Sequence, residues 1–119
     1  MEKFVIEGGH PLSGTVRPSG SKNEALPVIA ATLLSDQPIR LNNIPRIRDV
    51  LVLLEILESL GATVTWQDDA PDAVIDCSGV RHGDLPFELC SRLRASILLA
   101  GPLLARQGQV TLPPPGGDV

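Results

Sequence analysis

The chain predicts an α/β fold, α+β in the looser sense, and three observations carry that prediction. Short alternating runs that read as strands are interleaved with longer runs bearing apolar residues at helical spacing. The resulting order is strand, helix, strand, helix, two strands, and then the same alternation again. A length of 119 residues suits one domain, and a hydrophobic content of 43% is enough to build its core.

Phe4 to Glu7 alternates apolar and polar residues, Gly8-Gly9-His10-Pro11 interrupts it, and Gly14 to Arg17 resumes, which predicts a short hairpin-like pair of strands with His10 exposed in the turn. A first helix opens at Ser21 and runs through the apolar stretch Ala25 to Leu34. Ser35-Asp36-Gln37-Pro38 is a turn, and Ile39 to Leu41 is a strand. A second helix is expected from about Ile47 to Leu60, with Val50, Leu51, Leu53, Leu54 and Leu57 on its apolar face, Glu55 and Glu58 outward, and Gly61 as the stop. Ala62 to Trp66 and Ala73 to Asp76 form a hairpin around an acidic turn. A loop containing Arg81 and His82 leads to a third helical stretch, Phe87 to about Arg106, whose core face is Leu89, Leu93, Ile97 and Leu104. Gln109 to Leu112 reads as a last strand. Gly14 to Leu34 and Asp84 to Leu112 could be parts of successive structural repeats, without a residue-level match between them.

Charge and cysteine usage narrow the function classes. A net charge of -4 and a pI near 5.0 argue against a nucleic-acid partner, which needs a basic surface. Cys77 and Cys90 form no metal or redox motif and no signal peptide precedes Phe4, so both read as reduced structural thiols of a cytoplasmic protein. The run Ala95 to Ala105 is too short for a bilayer and contains Gly101 and Pro102; a buried helix, with no membrane partner, is expected.

The segment Pro18-Ser19-Gly20-Ser21-Lys22-Asn23-Glu24 carries the first candidate site. Ser21 followed three residues later by Glu24 fits a capping box, which puts Lys22 in the first helical turn. A cation is poorly placed at the positive end of a helix dipole unless an anion sits between it and the free N–H groups. Lys22 with Asn23 is therefore a candidate phosphate or carboxylate site. The plain alternative is a helix start with a solvated lysine. The stretch is no P-loop, because the glycine spacing is wrong. Pro27 is expected to kink this helix or delay its regular part by a turn.

Arg94, in Leu93-Arg94-Ala95-Ser96, supports two readings: a helix arginine snorkelling past apolar neighbours, which this window alone favours, or a bidentate anion clamp. Ser96 reads as a packing residue, and Arg92 and Arg106 as surface charges. Gly116-Gly117-Asp118 in a proline-rich loop offers a carboxylate on a mobile backbone, as a lid needs, or simply a turn. No zinc pattern or nucleophile elbow is present, so no metal is expected.

Gly20-Ser21-Lys22-Asn23-Glu24-Ala25-Leu26-Pro27, Leu93-Arg94-Ala95-Ser96 with Gly101-Pro102-Leu103-Leu104-Ala105-Arg106, and Pro115-Gly116-Gly117 together closely resemble the N-terminal part of the UDP-N-acetylglucosamine enolpyruvyl transferase family. Lys3-Phe4, Asn43-Ile44-Pro45, Asp49-Val50 and Leu60-Gly61-Ala62 fit it as well, so the resemblance covers essentially the whole chain. It implies two domains of an inside-out α/β barrel with the active site between them, only part of which is present in this chain. Residues 1–20 are then expected to pack with the C-terminal-half domain, and 21–119 to be an incomplete first domain ending in the active-site loop. The implied reaction moves the enolpyruvyl group of phosphoenolpyruvate onto the 3'-hydroxyl of UDP-N-acetylglucosamine and releases phosphate, toward peptidoglycan. The implied partners are those two substrates and the remaining part of the chain's own polypeptide, and no cofactor is implied.

By resemblance, Lys22 and Asn23 contact phosphoenolpyruvate, Lys22 is also catalytic, and Arg94 contributes to anion and nucleotide-sugar binding. Asp118 stands where most members carry the cysteine that protonates the vinyl carbon and is alkylated by fosfomycin. An aspartate there must have its pKa, ordinarily ~3.9, raised by several units to deliver a proton near neutrality. Two other readings stand beside this one. A shikimate-pathway relative is disfavoured by Asn23 and by the lack of a nearby arginine after the motif lysine; a non-catalytic scaffold on the same fold fits the replaced cysteine. The piece is expected to be inactive alone.

Overall fold

The computed structural model describes residues 2–67, 70–81 and 83–116. Helix α1, Lys22–Ala31, continues into a 3-10 turn at Thr32–Leu34 and leads to strand β1, Ile39–Leu41. Helix α2, Arg48–Ser59, follows, then β2, Thr63–Trp66, and β3, Ala73–Asp76. Helix α3, Phe87–Cys90, a 3-10 segment at Arg94–Leu99 and helix α4, Ala100–Gln107, complete the element order. The sheet is antiparallel throughout, in the order β1-β3-β2, with Ile75 opposite both Ile39 and Val64.

The core forms where α1 and α2 pack on each other and on the sheet. Ile29 and Leu33 from the first helical stretch meet Val50, Leu53, Ile56 and Leu57 of α2, with Ile75 and Cys77 beneath. The expected α2 is recovered to within a residue at each end, and Glu55 and Glu58 face solvent. Its apolar face turns slightly from the expected one: Leu51 is exposed, and Val52 and Ile56 are buried instead. Gly61 ends the helix with φ +104°, and a Cβ there would lie 2.6 Å from the Gly79 carbonyl oxygen, so only glycine fits.

Four sequence expectations need correction. Phe4 to Glu7 and Gly14 to Arg17 are not strands; residues 2–20 have no regular partner here, and Phe4, Ile6 and Leu12 are almost fully exposed. An alternating pattern specifies a strand only when a neighbour takes its hydrogen bonds. Gln109 to Leu112 is likewise unpaired, although Val110 and Leu112 pack against the core. Pro27 does not delay α1, which runs from Lys22 through it with the residue exposed; its missing N–H leaves the Asn23 carbonyl without its helical donor.

The fourth correction is the largest. The expected helix Phe87 to Arg106 is broken at Leu93, whose φ of -134° and ψ of 111° are extended. Beyond that break, burial follows a spacing of three: Leu93, Ser96 and Leu99, then Leu103 four residues on as the α-helix resumes. Three residues per turn is the 3-10 period. The expected face fails accordingly, since Ile97 and Leu104 are half exposed. Among the described residues no helix is long and apolar enough to cross a membrane.

Candidate anion site between two helix starts

Lys22 is the first residue of α1, and Asp49 lies in the first turn of α2. The Lys22 ammonium donates to the Asp49 carboxylate at 3.1 Å, so the two helix starts adjoin. Ser21 is the N-cap residue, as expected, but its hydroxyl makes no cap hydrogen bond and the capping box is not formed. Ile47, the cap of α2, offers none either. Neither N-cap side chain therefore takes up the first N–H groups of its helix, and each helix start carries the positive end of its dipole.

The loop before α1 is held tightly. A Cβ on Gly20 would lie 1.8 Å from the Asn43 carbonyl oxygen, so glycine lets the two backbones touch. Asn43 adopts φ 56°, a left-handed conformation that asparagine tolerates better than most residues. Its N–H donates to Asp72 at 3.0 Å, and Arg40 reaches the same carboxylate at 3.2 Å. The Asn43 N–H and then the Arg40 guanidinium hold the Asp72 pKa below its ordinary 3.8.

Lys22, Asn23 and Asp49 line one wall of an open cleft of about 400 Å³, and Arg92, Leu93, Arg94 and Ala95 line the other. The structure thus brings Lys22, Asn23 and Arg94 to one cleft across more than seventy residues of sequence. Three cations face one carboxylate among the described lining residues, a local positive surplus on a chain of net charge -4. The neighbouring hollows near Gly20 offer Arg40, which is paired with Asp72, and Arg46, which lies 4.4 Å over the Trp66 ring.

Asp118 lies outside the described residues, which end in this loop at Gly116. The Gly116 N–H donates to the Cys90 carbonyl at 3.1 Å, and a Cβ there would lie 1.5 Å from the Ser91 carbonyl oxygen. The loop is therefore pinned, by a residue that must be glycine, beside the turn carrying Arg92 and Arg94. Ser96 is buried and its hydroxyl also points at the Cys90 carbonyl, at 3.5 Å, which makes it the packing residue expected.

Sequence reasoning missed two members of the cleft. Asp49 sits 27 positions from Lys22, and nothing local marks the pairing. Arg92 reads as surface charge on a continuous helix and reaches the cleft only because that helix breaks. Arg106 also departs from its reading: it is a part-buried staple donating to the Leu33, Ser35 and Cys77 carbonyls and to Asp36. Cys77 and Cys90 are free and buried, and burial raises both thiol pKa values, which suppresses the reactive thiolate.

Residues 6–118 match the family model described as EPSP synthase (3-phosphoshikimate 1-carboxyvinyltransferase). The chain is 56% identical over 118 residues to a UDP-N-acetylglucosamine 1-carboxyvinyltransferase of Bradyrhizobium diazoefficiens, covering 98% of this chain and 27% of that protein. It is 48% identical over 119 residues to the protein of the same name from Treponema denticola, covering all of this chain and 28% of the relative. Among solved structures, the enolpyruvyl transferase NikO from Streptomyces tendae superposes with a TM-score of 0.72 at 34% identity, over 85% of this chain and 23% of its own. The chain thus spans about a quarter of the length of the proteins it matches.

Proposed function

The chain belongs to the EPSP synthase (3-phosphoshikimate 1-carboxyvinyltransferase) family, and from that premise we propose that its intact protein transfers the enolpyruvyl group of phosphoenolpyruvate to the 3'-hydroxyl of UDP-N-acetylglucosamine, a step toward peptidoglycan. The observation that carries this reading is the cleft itself: Lys22, Asn23 and Arg94 converge beside two helix starts whose N-cap side chains make no cap hydrogen bond. Both substrates are anionic, and fixed cations stabilise the charge of a phosphate leaving a tetrahedral adduct. The names of the relatives favour the amino-sugar acceptor.

In this reading Lys22 and Asn23 hold the three-carbon donor, and Arg94 holds acceptor or donor oxygens. Asp118 delivers the proton to the vinyl carbon. Asp49 keeps the Lys22 ammonium at the cleft mouth, where both side chains are partly exposed, at 49% and 39%, rather than drawn into the core. Residues 1–20, with Phe4, Val5 and Ile6 uncovered, pack on a later part of the same polypeptide. The loop aspartate, a poorer nucleophile than a thiolate, makes the protein insensitive to fosfomycin. The protein works in the cytoplasm.

The deciding measurement is phosphate release from phosphoenolpyruvate and UDP-N-acetylglucosamine by the intact protein and by its Lys22→Ala and Asp118→Ala variants. Each substitution lowers turnover by roughly 10²-fold or more, the scale of one lost transition-state donor or general acid. No release by the unaltered protein sinks the enzyme reading in favour of a scaffold. The family model's own description supplies a second acceptor to test: release only with 3-phosphoshikimate reassigns the substrate.

A further inference from the structure

We propose that Arg92 is a second phosphoryl-contacting residue of this cleft, working from the same wall as Arg94. The geometry begins with Leu93, which lies between them, is buried to 3% exposure, and has extended backbone angles. On extended backbone successive side chains point to opposite sides, so the residues flanking a buried one share the other side. In a continuous helix, positions two apart diverge by ~200° at 3.6 residues per turn. The break at Leu93 therefore turns two arginines that a helix separates into a pair that faces one cleft, and both line it with Lys22 and Asn23.

The charge environment of Arg92 suits a ligand. Lys22 already has Asp49 at 3.1 Å, whereas the carboxylate partner of Arg92 is Glu88 at 4.0 Å, with side chains 54% and 84% exposed. A pair that long and that solvated is weak, and a phosphoryl group, which accepts two parallel guanidinium N–H bonds, displaces it. Gly116 docks on Ser91, next to Arg92, so the last described residue of the proline-rich loop lies against the same turn. The identity of the phosphoryl group rests on the enolpyruvyl-transfer reading; the anion contact does not.

Three probes separate the two claims in titrations of the intact protein: phosphoenolpyruvate, UDP-N-acetylglucosamine and inorganic pyrophosphate. Arg92→Gln weakens pyrophosphate and at least one substrate about fivefold at low salt, and the loss shrinks as ionic strength rises. Glu88→Gln, which removes the competing carboxylate, tightens the same ligand about twofold. Loss confined to the nucleotide sugar assigns the contact to its diphosphate; loss confined to phosphoenolpyruvate assigns it to the donor. Wild-type affinity of Arg92→Gln for all three probes overturns the proposal. So does a salt-independent loss with a lowered thermal midpoint, which marks a structural arginine. An unaltered protein that turns over neither substrate, but whose pyrophosphate binding depends on Arg92, keeps the contact and fails the enolpyruvyl reading.

Discussion

Helix α2 and the stretch from Phe87 to Gln107 have similar raw material, apolar residues every three or four positions with charges between them, and they fold differently. In α2 nothing intrudes, the 3.6-residue period holds from Arg48 to Ser59, and one face fills the core. In the later stretch the Cys90 carbonyl accepts from the Leu93 N–H and from the Gly116 N–H of a distant loop, and Leu93 is extended. The chain resumes as a 3-10 helix with a different buried set. The regular helix supplies stability, and the broken one supplies the two arginines of the cleft. Arg92 and Arg94, two apart in sequence, line the cleft from either side of the extended residue Leu93.

The strongest way to break this comparison is to truncate what each segment buries. Leu53→Ala in α2 and Leu99→Ala in the 3-10 segment each cost about 2–5 kcal/mol in denaturant titration, since both side chains have no solvent exposure. Ile97→Ala costs about 1 kcal/mol or less, since half of its surface is already exposed. A larger loss at Ile97 than at Leu99 restores the continuous helix and removes the convergence of Arg92 with Arg94.

A smaller effect on stability with a large one on turnover is expected at Gly116→Ala. The added methyl clashes with the Ser91 backbone, the loop leaves its seat, and in the intact protein kcat/KM of the proposed transfer falls on the order of 10²-fold with the thermal midpoint nearly unchanged. Wild-type turnover by this variant shows that the pinning is irrelevant to the site.

The mildest effect belongs to the regular half. The Asp72 pKa is lowered by the Asn43 N–H and Arg40, so its stabilisation is complete above the ordinary carboxylate value of 3.8 and is lost as pH falls through the lowered folded value. Asp72→Asn is therefore less stable than wild type at neutral pH, and the difference closes in strong acid. Thermal midpoints measured across that range, with a gap that persists in acid, contradict the assignment.

Much of the framework was legible beforehand. Local rules place α1 at Lys22, β1 at Ile39–Leu41, β3 at Ala73–Asp76 and the stop of α2 at Gly61, and motif resemblance named Lys22, Asn23 and Arg94, which line one cleft. Asp49 and Arg92 were not legible as residues of the cleft, because their places in it depend on contacts between segments far apart in the chain. The Phe4 to Glu7 and Gly14 to Arg17 patterns show the converse: alternation announces a buried face without naming its partner.

What the amino acids determined by themselves was therefore everything governed by neighbours a few positions away: helical period, glycine stops, the hairpin, and the family. What only the tertiary structure decided was which helix breaks, which carboxylate meets Lys22, and which arginines face the cleft. The reason is physical. Propensity and periodicity are short-range energies, whereas a backbone carbonyl accepting from a loop some twenty-five residues away, as Cys90 does from Gly116, is a competing bond that exists only once the chain is compact.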